Sequence, residues 1–373
     1  MIKRVRLLLA LGFLGTAVLI GGFIYLKLNG VTDQVVDGPG VSSQPVLAKA
    51  MVPHGNTEEF KLSRQSLRST SASDPLATLK SIDEGTSADV AYEHFNLLKN
   101  WLGRGPSQID QAVSLLSHPG SGSAADKRQR SLVYGALAET NSPEAASGLI
   151  KLASAAKSED DVIQSVSAIA DQRSPTQAAL PTLWHAYEAN SGASKHMSLL
   201  AFGSAAYHLE RAGESPGDAA DKLIAAYGAM PSEEGRIEIL VAMGNHGSVR
   251  YFEVLKAAVR DQSDWVRRAA VYALRFHEGV EAGALWAEIA TQDSDEKIKA
   301  EAIAALAMQL DQRRDFARVA KVALSSRDSS VQLSAAVILT GARARAASPE
   351  VDQAIAALRT GSSMGEVQAY LGG

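Results

Sequence analysis

The sequence predicts an all-α chain: a right-handed α-α superhelix of stacked helical hairpins, preceded by one transmembrane helix. Three observations carry that expectation. Apolar residues recur at helical offsets over most of the chain, as Val266, Ala269, Ala270, Ala273 and Leu274 do, so they line one face. Alanine dominates these segments, which favours helix and lets neighbouring helices approach closely. One helical pattern also returns at a near-constant period in EGRIEILVAMGNHG, DWVRRAAVYALRFH, EKIKAEAIAALAMQ and SSVQLSAAVILTGA. Aligning Met243, Leu274, Leu306 and Leu339 gives spacings of 31, 32 and 33 residues, the range of a repeat array. A second apolar helix separates the copies, at residues 251–259 and 284–290. Each unit is then a hairpin that buries its apolar face only by stacking on its neighbours.

The N-terminus is expected to be a signal anchor. Residues 1–6 carry Lys3, Arg4 and Arg6, and the next 20 residues, 7–26, run without a charge. About 20 apolar residues span a bilayer core as a helix. A cleaved signal has a shorter apolar region with an A-x-A-like site just behind it. Here Lys27, Leu28 and Asn29 follow, and the nearest such triplet is Ala48–Ala50. The expected layout is a cytoplasmic end at 1–6, a transmembrane anchor at 7–28 and a flexible linker at 29–74. A helical repeat domain at 75–346 and a C-terminal cap at 347–373 complete it. The positive residues place the short end in the cytoplasm and the bulk of the chain outside. The predicted location is a bacterial inner membrane with the C-terminal domain in the periplasm.

Residues 30–74 hold Gly38, Pro39, Gly40, Pro45, Pro53 and Gly55 with many serines and no sustained period, the composition of a tether. A short alternation in EEFKLSR, 58–64, allows a local strand. Helices are then predicted at 89–101 and 107–116, followed by a Gly/Ser loop at 120–123. Further helices are expected at 129–139, 143–156, 160–170, 176–188 and 196–209. Ser142-Pro143, Ser174-Pro175 and Asp264 supply helix-opening chemistry. Residues 348–371 are shorter and more polar, as a terminal cap needs to be.

Several segments resemble a known family. The stretches 89–102, 133–152, 174–187, 196–209 and 240–255 come in an order similar to the helical N-terminal domain of the large lipid transfer proteins. That family includes vitellogenin, the apolipoprotein B N-terminus and the microsomal triglyceride transfer subunit. The later repeats resemble HEAT repeats, so the solenoid is expected to be HEAT-like. The lipid-transfer resemblance implies a horseshoe that cradles lipid against β-sheets. No sheet-forming segments flank the helical body here, so the leading expectation is a membrane-anchored scaffold for a protein partner. Lipid binding or transfer on the concave face is the alternative.

Composition narrows the chemistry. A formal charge of −4 and a pI near 6.1 exclude a broad basic surface for nucleic acid. Zero cysteines exclude disulfides, thiolate zinc sites and cysteine lipidation. No cofactor, metal site or enzymatic nucleophile is expected. His277-Glu278 lacks the second histidine of a zincin helix, and His196 and His208 lie too far apart to share an ion. The densest basic run is Arg250, Lys256, Arg260, Arg267, Arg268 and Arg275. Its reading is either structural, with arginine stems covering apolar surface, or a contact for an anionic headgroup or acidic partner. Arg250, Arg260, Trp265, Arg267 and Arg268 are the candidate contacts. Trp184, Trp265 and Trp286 are either anchors on a concave face or, as is commoner, partly buried packing residues.

Overall fold

The computed structural model describes residues 75–372 apart from 276, 278, 314, 315 and 346. The expected cytoplasmic end, transmembrane helix, linker and 58–64 strand lie outside those residues. Among the described residues no strand occurs, and no helix is long and apolar enough to cross a membrane. Two compact units divide at Ala201/Phe202.

After a lead-in turn, the first unit contains α1 (Ala88–Leu102), α2 (Pro106–Ser117), α3 (Ala124–Thr140), α4 (Pro143–Ala155), α5 (Glu159–Asp171) and α6 (Ala179–Ala189). The helix α7 (Gly192–Arg211) carries the division. The helices α1, α3 and α5 stack as one row, and α2, α4 and α6 stack as the other. The second unit continues with α8 (Ala219–Ala229), α9 (Glu233–His246), α10 (Phe252–Ala258), α11 (Asp264–Leu274), α12 (Val280–Gln292) and α13 (Glu296–Arg313). It ends with α14 (Phe316–Ser325), α15 (Ser329–Arg345), α16 (Pro349–Gly361) and α17 (Gly365–Tyr370). Here α9, α11, α13, α15 and α17 form one row, and α12, α14 and α16 form the other.

Serines start many of these helices. Ser87, Ser123, Ser142, Ser158, Ser232, Ser263 and Ser348 each accept a backbone N–H from the first turn. Such a cap satisfies a donor that the helix itself leaves open. Ser263 therefore caps α11, and Asp264, expected to open it, is its first residue. Ser174-Pro175 opens no helix, because α6 begins only at Ala179. The serine is held instead in a turn contact. Asn141, left-handed at φ 52° where α3 ends, accepts the Ser174 N–H at 2.8 Å and ties the two turns together.

The repeat phase predicted from sequence matches the packing. Met243, Leu274, Leu306 and Leu339 are all buried, as is Ala270. Rows close tightly where a glycine faces a neighbour. A Cβ on Gly244 of α9 would lie 2.9 Å from the Ala273 Cα of α11, and one on Gly361 of α16 would lie 2.8 Å from Leu324 of α14. In the first unit, a Cβ on Gly148 of α4 would lie 2.6 Å from Val113 of α2. Interiors packed this densely leave no room for even a methyl group.

Candidate partner-binding surface

The basic run does not form one cationic patch. Arg267, in the first turn of α11, grips Asp293 with two bonds, Nε to Oδ2 at 2.9 Å and Nη2 to Oδ1 at 3.0 Å. It also donates to the carbonyls of Asp261 and Gln262. With side chains only 12% and 5% exposed, the pair is a rung between successive hairpins, and its hydrogen bonds raise the Arg267 pKa. Arg268 donates Nε to Glu301 of α13 at 2.7 Å. Burial pushes the Glu301 carboxyl up, while the Arg268 guanidinium pulls it back down. Arg250 pairs with Asp221, and Arg260 with Glu288 at 2.7 Å, both in solvent. Arg275 stacks over the Tyr272 ring, 3.4 Å from its centroid, and burial lowers its pKa to about 10.

The tryptophans divide. Trp286 is fully buried in α12, a packing residue that cannot anchor a partner. Trp265 and Trp184 are half-buried, and Trp184 donates its indole N–H to Glu188 of its own helix at 2.7 Å. Each of these four arginines, Arg250, Arg260, Arg267 and Arg268, is thus already engaged by a carboxylate.

Where α9 ends, a buried polar cluster went unread in the sequence. Nδ1 of His246 lies 2.6 Å from the Tyr251 hydroxyl. Its Nε2 is 3.1 Å from Glu210 Oε1, off the line of a hydrogen bond. Burial lowers the His246 pKa against the opposing pull of Glu210 and pushes the Tyr251 phenol far up. With Tyr251 wholly buried, no substrate reaches this hydroxyl. The cluster is a joint between elements.

One stretch matches G-x-S-x-G, namely Gly213-Glu214-Ser215-Pro216-Gly217. A nucleophile elbow needs a strand running into a helix, and this turn joins α7 to α8. Ser215 Oγ accepts the Gly217 N–H at 3.2 Å, and Gly213 and Gly217 supply the positive φ that the turn requires. Among the described residues, no group of three or more His, Asp or Glu is placed to hold a metal ion. Asp171 has its pKa raised to about 7 by burial and by Glu139, but two carboxylates alone define no site.

Among the described residues, an open recess lies between α12 and α14. A recess of about 790 Å³ is lined by Ala284, Ala287, Glu288, Thr291 and Gln292 on one side. Ala317, Arg318, Lys321, Val322 and Ser325 line the other. These residues recur at helical offsets along both helices, so the recess follows about two turns of each. Ala284, Ala287 and Ala317 contribute only methyl groups to its walls. The sequence held this signal only as small residues, which read equally well as helix formers.

The family model for HEAT repeats matches residues 220–307, from α8 into α13. That match and the stacked hairpins support a HEAT-like solenoid. No curated protein matches the chain.

Proposed function

We propose that this chain is a single-span membrane protein whose HEAT-like array acts outside the cytoplasm as a docking scaffold for a protein partner. The open recess between α12 and α14 is the observation that carries the protein-binding part. The array closes tightly at Gly244 against Ala273 and at Gly361 against Leu324, while α12 and α14 leave a recess between them. The anchor rests on the uncharged stretch 7–26 behind Lys3, Arg4 and Arg6. A tethered scaffold raises the local concentration of what it captures.

The lipid-transfer resemblance supplies the rival reading. An acyl carrier needs a contiguous apolar surface beyond the few hundred Å² usual for a monomer. The exposed large apolar residues, Tyr92, Leu115, Val249, Val337 and Tyr370, lie on separate helices and connectors for the most part, which favours the scaffold. The test is purification of the full chain from its own membranes, with mass spectrometry of co-purifying proteins and of organic extracts. A stoichiometric protein partner without lipid supports docking, and near-equimolar lipid overturns it. A reporter active only outside the cytoplasm, fused after Gly373, should give signal, and a cytoplasm-only reporter active at that position refutes the orientation.

A further inference from the structure

We infer that His246 and Tyr251 form an acid-sensitive latch: protonating the imidazole breaks their bond and frees the turn that joins α9 to α10, while the flanking helices stay folded. The latch does not depend on what the array binds.

The hydrogens decide which form of the ring closes it. Tyr251 ends the short 3₁₀ turn Val249–Tyr251 between the two helices, and its side chain is wholly buried. A buried hydroxyl needs an acceptor for its hydrogen, and the imidazole Nδ1 stands 2.6 Å away. Nδ1 is then bare and the ring neutral, with its own hydrogen on Nε2, on the side of Glu210 Oε1 at 3.1 Å. A second proton goes onto Nδ1. The hydroxyl can then only accept from the ring, and its own hydrogen is left without a partner in a place closed to water. Tyr251 is the one buried residue of the turn. Val249 is exposed, and Arg250 reaches Asp221 of α8 in solvent, where such a pair contributes little. The hold of the turn on the core therefore runs through Tyr251.

The charges around the ring come from four elements. Burial disfavours the imidazolium, Glu210 of α7 favours it, and Arg250 opposes it. Asp221 of α8 lies beyond Arg250. From α11, Arg275 brings Nη1 to 3.2 Å from where a Cβ on Gly244 would stand, two residues before His246. The one nearby carboxylate is partly in water, while the ring itself is not, so burial and the arginines prevail. A second histidine stands close by. His277, also buried, packs on Phe252 at the start of α10, with ring centroids 5.8 Å apart. Since the closed latch requires the neutral ring, its stability is present above the ordinary histidine range and is lost as pH falls.

Hydrogen exchange of the full-length protein in detergent reads the turn directly, by peptide mass spectrometry at about pH 8 and about pH 5 with intrinsic rates corrected. Peptides covering 247–252 should lose protection on acidification, while those of α11 keep theirs. His246→Gln, whose amide oxygen still accepts from Tyr251, should keep the turn protected at both pH values. His277→Gln should leave the loss as it is in the parent. Where His246→Gln fails to fold, long-range proton–nitrogen spectra of the parent assign the tautomer instead. A bare Nδ1 at the higher pH supports the latch, and a bare Nε2 overturns it. Equal protection of the turn at both pH values overturns it as well, as does a loss spread evenly from α9 to α11 or one abolished by His277→Gln.

Discussion

Two places in the second unit show opposite ways of packing helix against helix. Between α9 and α11 the backbones meet so closely that Gly244 has no room for a methyl group beside Ala273. Between α12 and α14, three alanines leave an opening of about 790 Å³. The seam helix α11 is as rich in alanine as α12 and α14, so alanine content alone does not mark the gap. What separates them is whether the short side chains face each other across a seam or face solvent across a gap. A stacked array holds together through the first kind of contact and has surface to offer through the second.

The largest expected effect comes from forcing the seam. Ala270 lies in the fully buried stripe of α11, so Ala270→Arg inserts volume and an unpaired charge together. Overpacking alone costs about 1–3 kcal/mol, and a buried charge without a partner adds several more. The variant should lose cooperative thermal unfolding or fail to accumulate. A melting curve like that of the parent protein would place Ala270 in water and break the repeat phase.

Next come the arginines, which sharpen the same contrast between closed and open. Arg267→Ala leaves Asp293 buried without its cation, and breaking a buried pair from one side typically costs about 3–5 kcal/mol. Arg260→Ala removes an exposed partner of Glu288, for which about 1 kcal/mol or less is expected. Chemical denaturation of both variants checks this ordering. Equal losses would mean that the rungs do not differ in burial as their side-chain exposures indicate.

How much of this was legible beforehand follows from the same residues. Met243, Leu274, Leu306 and Leu339 could be aligned because burial imposes a period on the chain, and a period survives in one dimension. The fates of Arg267 and Arg268 could not be read, since their carboxylates lie on later hairpins at Asp293 and Glu301. A basic run therefore resembles a patch until those rungs are placed. The helix α8 was not anticipated, as its short AADKLIAAYGA stretch offers mainly alanine as an apolar signal. Trp286 was a plausible anchor by residue type, and only packing places it inside. The recess is built from side chains that are short, and shortness carries no direction in a sequence.

A smaller effect is expected at the end of α9. Burial lowers the His246 pKa from its ordinary 6.5, so the unfolded chain binds this proton first as pH falls. The stability contributed by neutral His246 is present above about pH 6.5 and is lost as pH drops through the window down to the depressed folded value. Protonation would also put a donor on Nδ1, facing the buried Tyr251 hydroxyl. Glu210 opposes the shift, and His94 and His277 share its direction because they too are buried, whereas Asp171, raised to about 7, acts with the opposite sign. The comparison is therefore between parent and His246→Gln across pH 5 to 8, where the variant should show the shallower loss on acidification. Parallel curves would mean that His246 titrates alike folded and unfolded.

The smallest effect tests the open side. Ala287 is half-buried on the wall of the recess, and Ala287→Leu adds three carbons where the α9–α11 seam would not accept one. In a closed interface such an insertion costs about 1–3 kcal/mol. In the recess the added side chain has room, and the little apolar area it covers offsets its lost rotamer freedom, so a change within about 0.5 kcal/mol is expected. Gly244→Ala is the matched control, one methyl group against a backbone atom 2.9 Å away, and should cost about 1–3 kcal/mol. If thermal melts rank the pair in the other order, the α12–α14 gap is closed in solution. The array would then offer no recess there, and the docking proposal would lose its geometry before any partner was sought.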